Sequence, residues 1–206
     1  MRVDLTLDYR NRAEAAQINT RYVHLKSGKV EYTGVVYDVS GDSMSGTYID
    51  FPGHIAETDD GFRADKADLA DFFRIPASVI HLDRAGKPGA VTAAELQKAF
   101  GGVPQTPAVI INALGGTGCY DVPFRSVHLD LDVAEFLAQT PCRLLVSDVY
   151  ECMPPCGIFL KLFQAGITAV CEPANLHLLS AKEVNLTVGF AKMPVTQLAC
   201  SLVADF

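Results

Sequence analysis

Apolar and polar positions alternate over residues 2–9, with Val3, Leu5 and Leu7 on one face and Asp4, Thr6 and Asp8 on the other, as in a half-buried strand. Residues 10–20 are polar with interspersed alanines and read as a loop or a short helix. Over residues 22–40, two β-rich runs meet at Ser27-Gly28-Lys29, the composition of a hairpin turn. The short apolar runs at residues 79–82, 109–114, 144–146, 167–171, 186–191 and 197–203 predict further strands. Helical signals are fewer. Leu69, Phe72 and Phe73 have helical spacing before Ile75-Pro76, and Thr92-Ala93-Ala94-Glu95 is a capping box opening a helix that Gly101-Gly102 ends. Residues 126–139 are amphipathic, with Asp130 or Asp132 near the start, and residues 157–164 predict a short buried helix. Many strands, few helices and no strict βαβ alternation predict an α+β or mixed α/β fold, a mixed sheet flanked by a few helices.

Composition narrows this picture. With 206 residues, 49% of them hydrophobic, the chain can bury one substantial core, and a single domain over 1–206 is expected. A net charge of −7 argues against nucleic-acid binding, which needs Lys and Arg to neutralise phosphates, and favours a small-molecule partner. No apolar run reaches membrane-spanning length, and the first residues lack a signal-peptide core, so no membrane association is expected and a cytoplasmic location is. A chain of this size needs no disulfide staples. Of its six cysteines, Cys142, Cys171 and Cys200 lie in apolar runs and read as core.

Candidate chemistry concentrates between Met44 and His54, in Met-Ser-Gly-Thr-Tyr-Ile-Asp-Phe-Pro-Gly-His. Pro52 makes the chain leave its strand sharply and holds Asp50 and His54 close on a rigid bend. A carboxylate and an imidazole so placed suit acid/base or metal chemistry; the competing reading makes Asp50 a turn cap and His54 a solvated loop residue. Gly115-Gly116-Thr117-Gly118 follows a predicted strand, but neither a Gly-Lys-Ser/Thr nor a dinucleotide pattern completes a phosphate cradle. Cys152 and Cys156 flank Met153-Pro154-Pro155, and with no second cysteine pair to complete a zinc tetrahedron the spacing reads as accidental proximity.

The order of residue types at 44–54 resembles the metal-dependent cyclase family, which includes bacterial kynurenine formamidase and isatin hydrolase and has the hallmark His-x-Gly-Thr-His-x-Asp-x-Pro-x-His. Gly46, Thr47, Asp50, Pro52 and His54 match, whereas Met44 and Tyr48 stand where the family has histidines. The resemblance extends to Asp4-Leu5-Thr6 and to Gly166-Ile167, Glu172 and Asn175-Leu176, so it spans most of the chain. A further family histidine, twelve residues before the glutamate, is Leu160 here. The resemblance implies a cyclase-like fold, a dimer or tetramer, and a pocket near Thr117 and Cys119. It also places Glu151 where the family commonly has a serine.

An intact family site would hold two divalent ions bridged by the aspartate. Imidazole binds zinc-like ions well, thioether and phenol weakly, and leucine not at all. The expected enzyme is therefore metal-independent, without a cofactor. His54 would act as general acid/base, oriented by Asp50 or Glu172, with Tyr48 as hydrogen-bond donor to an oxyanion and Met44, Thr117, Cys119 and Glu151 lining the pocket. Its substrate would be a carbonyl compound undergoing ring closure, dehydration, isomerisation or hydrolysis of an activated acyl group. Two alternatives stand beside it: an arylformamidase-like amide or lactam hydrolase with one divalent ion at Asp50, His54 and Glu172, and a non-catalytic ligand-binding or scaffold protein.

Overall fold

The structure is a computed structural model that describes residues 1–8 and 16–206. In chain order it contains β1 (Arg2–Asp4), β2 (Ala16–Ser27), β3 (Val30–Gly41), β4 (Tyr48–Asp50), β5 (Ile75–His81), β6 (Gly89–Val91), α1 (Ala93–Phe100), β7 (Ala108–Asn112) and β8 (Val127–Leu129). There follow α2 (Leu131–Ala138), β9 (Leu144–Ser147), α3 (Ile158–Gln164), β10 (Thr168–Cys171), β11 (Glu183–Phe190) and β12 (Gln197–Asp205).

One mixed sheet runs β1-β12-β11-β5-β7-β9-β10-β4, and β4 also pairs with β12, closing the strands into a barrel. The closure depends on the length of β12. Its residues Gln197, Leu198 and Ala199 pair with β4, while residues 200–205 pair with β11 and the last of them also with β1. β5, β7, β9 and β10 are mutually parallel, the rest antiparallel. Parallel strands are covered on both faces and therefore read as continuous apolar runs. All five residues of β7 and all four of β9 and of β10 are buried.

Strand alternation divides the core into two layers. Ile49, Val79, Ile110, Val146, Val170 and Leu186 fill the barrel interior. Tyr48, Ile80, Ile111, Leu145, Ala169 and Cys171 face outward, where they meet Leu96 of α1, Val133 and Leu137 of α2, and Ile158 and Leu162 of α3. Cys142, Cys171 and Cys200 are buried free thiols, as expected for core residues.

The mixed sheet, with three α-helices among the described residues, matches the fold class expected from the sequence. Several local expectations need correction. The spacing of Leu69, Phe72 and Phe73 makes one 3-10 turn, Leu69–Phe72, capped by Asp68, because Phe72 is drawn into edge-to-face contacts with Phe51 and Phe190 at centroid distances of 6.2 and 5.1 Å. The amphipathic stretch at 126–139 divides: Val127–Leu129 is a strand, and the helix begins only after the Asp130 cap. The four mutually parallel strands are a further departure from the sequence pattern, which shows no strict βαβ alternation. The predicted loop or helix at 10–20 lies partly outside the described residues, and its end belongs to β2.

β2 and β3 form a hairpin whose strands, among the described residues, pair only with each other. Cross-strand partners share a face, so the pairs Ile18–Val39, Thr20–Tyr37 and Tyr22–Val35 build one mainly apolar side, largely exposed. No helix among the described residues is long and apolar enough to cross a membrane.

The capping box on α1 forms as predicted: Glu95 N donates to Thr92 Oγ1 at 3.3 Å, and Thr92 N donates to Glu95 Oε2 at 3.0 Å. Thr92→Ala should lower stability by about 1 kcal/mol, read as a reduced urea midpoint at unchanged m-value.

Candidate active site

In open parallel sheets, ligands gather beyond the carboxyl ends of the strands, and the same geometry operates on the parallel part of this barrel. β7, β9 and β10 end at Asn112, Ser147 and Cys171, each followed by chemically useful residues: Ala113-Leu114-Gly115, Asp148 and Glu172. A cavity of about 370 Å³ opens there. It is bordered by Tyr48, Asp148, Glu151, Cys171 and Glu172, with Leu114, Val127, Val149 and Phe159 giving an apolar wall. Met44, Cys119 and Arg125 complete its rim. A neighbouring cavity of about 400 Å³ shares Cys119, Tyr120 and Asp148 and is lined by Thr117 and His177.

The Gly-Thr pair shapes this region. Gly46 has φ 69° and turns the chain into β4. The Thr47 hydroxyl donates to the Glu172 carbonyl at 2.8 Å and accepts the N–H of Leu7 at 2.7 Å, tying the first strand's continuation to the exit of β10. Glu172 itself is left-handed, with φ 54°. Its Oε2 accepts a short hydrogen bond from the Tyr120 hydroxyl.

Asp148 accepts the N–H of Ala113 at 2.8 Å and of Leu114 at 2.9 Å. Burial outweighs these bonds and pushes its carboxyl up to about 6. The Tyr48 phenol is pushed far above its ordinary value by burial and by the nearby Cys171, Asp50 and Glu172, so it stays a proton donor throughout the working range. Burial works against the Glu151 carboxylate, but bonds from the Cys156 thiol and from the N–H groups of Cys156, Cys152 and Gly157 hold it below its usual value.

Asp50 projects from β4 on the same side as Tyr48 but is 2% exposed and does not border the cavity. Its Oδ2 receives the Cys171 thiol at 3.8 Å, and its Oδ1 is buried with no hydrogen-bond partner. Burial raises this carboxyl to about 6, against the opposing effects of His54, Gln197 and Cys171. His54 is exposed on the 3-10 turn Pro52–His54 and also lies off the cavity, its Nε2 3.3 Å from Gln197 Nε2. Gln197 Oε1 accepts a short hydrogen bond from Ser43. The structure thus brings Tyr48, Glu172, Met44, Cys119 and Glu151 to one cavity, puts Thr117 in the adjoining one, and leaves Asp50 and His54 off both, Asp50 against Cys171 and His54 against Gln197.

Tyr120, Cys171 and Arg125 border the cavity without being candidates on sequence grounds, Gln197 contacts His54 off the cavity, and Asp148 is placed by the resemblance only as the first residue of the family's Asp-x-x-Ser. For Asp148 the available signal is a carboxylate directly after a buried parallel strand. Cys171 and Gln197 are brought in by pairing across the barrel, which no local pattern reports: Cys171 lies opposite Tyr48, and Gln197 opposite Asp50. Tyr120 and Arg125 come from the loop between β7 and β8.

The donor set does not fit the family's two-ion centre. Met44, Tyr48 and Leu160 supply no imidazole, and the ligand atoms of Asp50, His54 and Glu172 do not converge within 4.8 Å of one another. The one group of three His, Cys, Asp or Glu donors that does so among the described residues is Glu151, Cys152 and Cys156. A single ion shared by Asp50, His54 and Glu172 is therefore not supported by their placement.

The Cyclase family profile, described as "Putative cyclase", matches residues 3–152. The chain belongs to the Cyclase family. Among solved structures it is similar to isatin hydrolase A from Labrenzia aggregata bound to benzyl benzoate, with 18% identity, 99% of this chain and 93% of that one covered, and a TM-score of 0.72. A predicted metal-dependent hydrolase from Bacillus stearothermophilus gives 16% identity, 99% and 97% coverage and a TM-score of 0.67. An isatin hydrolase bound to the product analogue thioisatinate gives 17% identity, 98% and 91% coverage and 0.69. No curated protein sequence matches the chain. At these identities the structural matches establish the cyclase fold.

A carboxyl raised from 3.8 to about 6 on folding holds its proton more tightly in the folded state. Its stabilisation is full below about pH 3.8 and lost as pH rises through about 6. Asp50→Asn should therefore gain stability relative to the parent protein between about pH 4 and 7, by on the order of 3 kcal/mol. Urea unfolding at several pH values checks this; a difference independent of pH would contradict it.

Proposed function

We propose that this cyclase-family chain is a small-molecule enzyme that acts on a carbonyl compound by general acid/base chemistry not requiring the family's two-ion centre. The observation that carries this reading is the convergence of Tyr48, Asp148 and Glu172 on one apolar-walled cavity. Glu172, oriented by the Tyr120 hydroxyl, accepts a proton from the substrate or from water. Asp148, with a carboxyl near 6, is the second proton-transfer group. The Tyr48 phenol donates a hydrogen bond to negative charge developing on the carbonyl oxygen. Asp50, Gln197 and His54 act as positioning residues.

The arrangement suits ring closure, dehydration, isomerisation or hydrolysis of an activated acyl group. Leu114, Val127, Val149 and Phe159 favour an aromatic or aliphatic body on the substrate. Arg125 borders the same cavity and has no carboxylate partner among the described residues, stacking instead over Phe124 at 4.9 Å. Its guanidinium fits a carboxylate on the substrate. Structural relatives described as isatin hydrolases support carbonyl chemistry on this fold. The same reading includes a homo-oligomer of two or four copies, the exposed apolar side of the β2–β3 hairpin packing on a second copy.

With carboxylate-bearing lactones, cyclic imides and activated aryl esters as probes, Glu172→Gln and Tyr48→Phe should each lower kcat/KM by roughly 10²–10⁴-fold. Arg125→Met should raise KM with kcat retained. The reading fails if the protein binds these compounds without turning any of them over, which would make it a binding protein. A loss in His54→Ala as large as in Glu172→Gln would transfer the proton-transfer role to His54. Substituting Tyr22, Val35 and Tyr37 with Thr should convert the oligomer to monomer in analytical ultracentrifugation; an unchanged mass would remove the hairpin from the interface.

A further inference from the structure

Between the exit of β9 and the start of α3, the chain folds residues 151–157 around one carboxylate. Glu151 Oε1 accepts the N–H of Cys152 at 3.1 Å, Cys156 at 2.7 Å and Gly157 at 3.2 Å. The Cys156 thiol lies 3.0 Å from the same oxygen and the Cys152 thiol 3.7 Å. One donor atom from each of the three residues lies within 4.8 Å of the others. Two thiolates on a tetrahedral zinc ion, with Zn–S near 2.3 Å, stand about 3.8 Å apart, so the group needs only a small contraction to close on an ion. Cys152 is half-buried and Cys156 exposed, which leaves a way in.

We propose that Glu151, Cys152 and Cys156 form a binding site for a thiophilic divalent cation such as Zn²⁺, with its fourth position open at the rim of the cavity. Binding breaks two S–H bonds, forms two sulfur–metal bonds and one carboxylate–metal bond, and releases two protons without any change of oxidation state. The site is separate from Asp50, His54 and Glu172, and it does not rest on the acid/base reading.

The surroundings favour a cation over a redox-active pair. Reactive cysteines sit in electropositive settings that stabilise the thiolate, whereas here both thiols face the Glu151 carboxylate, 3.0 Å away for Cys156 and 3.7 Å for Cys152. A divalent ion reverses that balance by neutralising the charges that thiols and carboxylate would otherwise crowd together. The three backbone N–H groups play the part that outer partners play in metal sites, fixing the carboxylate before the ion arrives.

The test uses the reduced full chain freed of metal by chelation. Titration with Co²⁺ should give a thiolate-to-metal charge-transfer band at one ion per chain, displaced by Zn²⁺, and Cys152→Ser or Cys156→Ser should weaken binding at least tenfold. In the unsubstituted protein, Zn²⁺ should protect two thiols from alkylation, at 152 and 156 by peptide mapping. Absence of both the band and the protection in folded protein overturns the proposal. So does a Cys152–Cys156 disulfide forming with glutathione disulfide equally fast with and without Zn²⁺. Zinc retained by the Cys152→Ser/Cys156→Ser variant but lost in Asp50→Asn would move the ion to Asp50 and equally refute this assignment.

Discussion

The structure depends on a strand of three residues being hydrogen-bonded along both of its edges. β4 pairs with β10 on one side and with β12 on the other, and without it the barrel is open. Because side chains alternate, that double pairing sends Ile49 into the barrel interior and Tyr48 and Asp50 to the helix side. The same backbone bonds that close the fold thus fix the positions of a phenol and a carboxyl. Pairing β4 on both sides also removes the edges at which the main sheet would otherwise stay open there, and the β2–β3 hairpin, paired only with itself, keeps its outer edges free among the described residues.

The cavity wall and the layer behind it hold polar groups that are costly to bury. Asp50 and Asp148 are both pushed towards neutrality, and Cys171 is pushed well above its ordinary value by burial and by Asp50. Groups with raised values near a cavity suit proton-transfer chemistry. The family membership and the donor set are compatible: the scaffold persists while Met44, Tyr48 and Leu160 stand where the family hallmark has histidines.

Much of the fold is legible in the sequence because its signals are local. The Thr92 capping box, the turn at Ser27-Gly28-Lys29 and the apolar runs of β7, β9 and β10 each carry their own physical signature. Phe72 misleads because tertiary aromatic packing overrides a helical spacing too short to stand alone. The parallel crossovers are hidden by β6 and β8, short strands that pair with each other outside the main sheet and break the strand–helix alternation. Tyr48 and Glu172 can be named from the order of residue types, but the partnership of Tyr48 with Cys171 or of Asp50 with Gln197 depends on register between distant strands. Cys152 and Cys156 lack a second cysteine pair, so their spacing alone is silent; the ligand that joins them is the carboxylate immediately before the first of them.

Glu172 shows where folding and chemistry compete. A residue with a Cβ at φ 54° costs about 1 kcal/mol that glycine would avoid, and no local turn or helix cap demands an acid there. The barrel's packing, with Thr47 clamping the carbonyl of that residue, absorbs the cost and keeps the backbone in place. Selection for a more stable chain alone would drift towards glycine at this position, so the molecule gives up stability at the point where it presents its carboxylate.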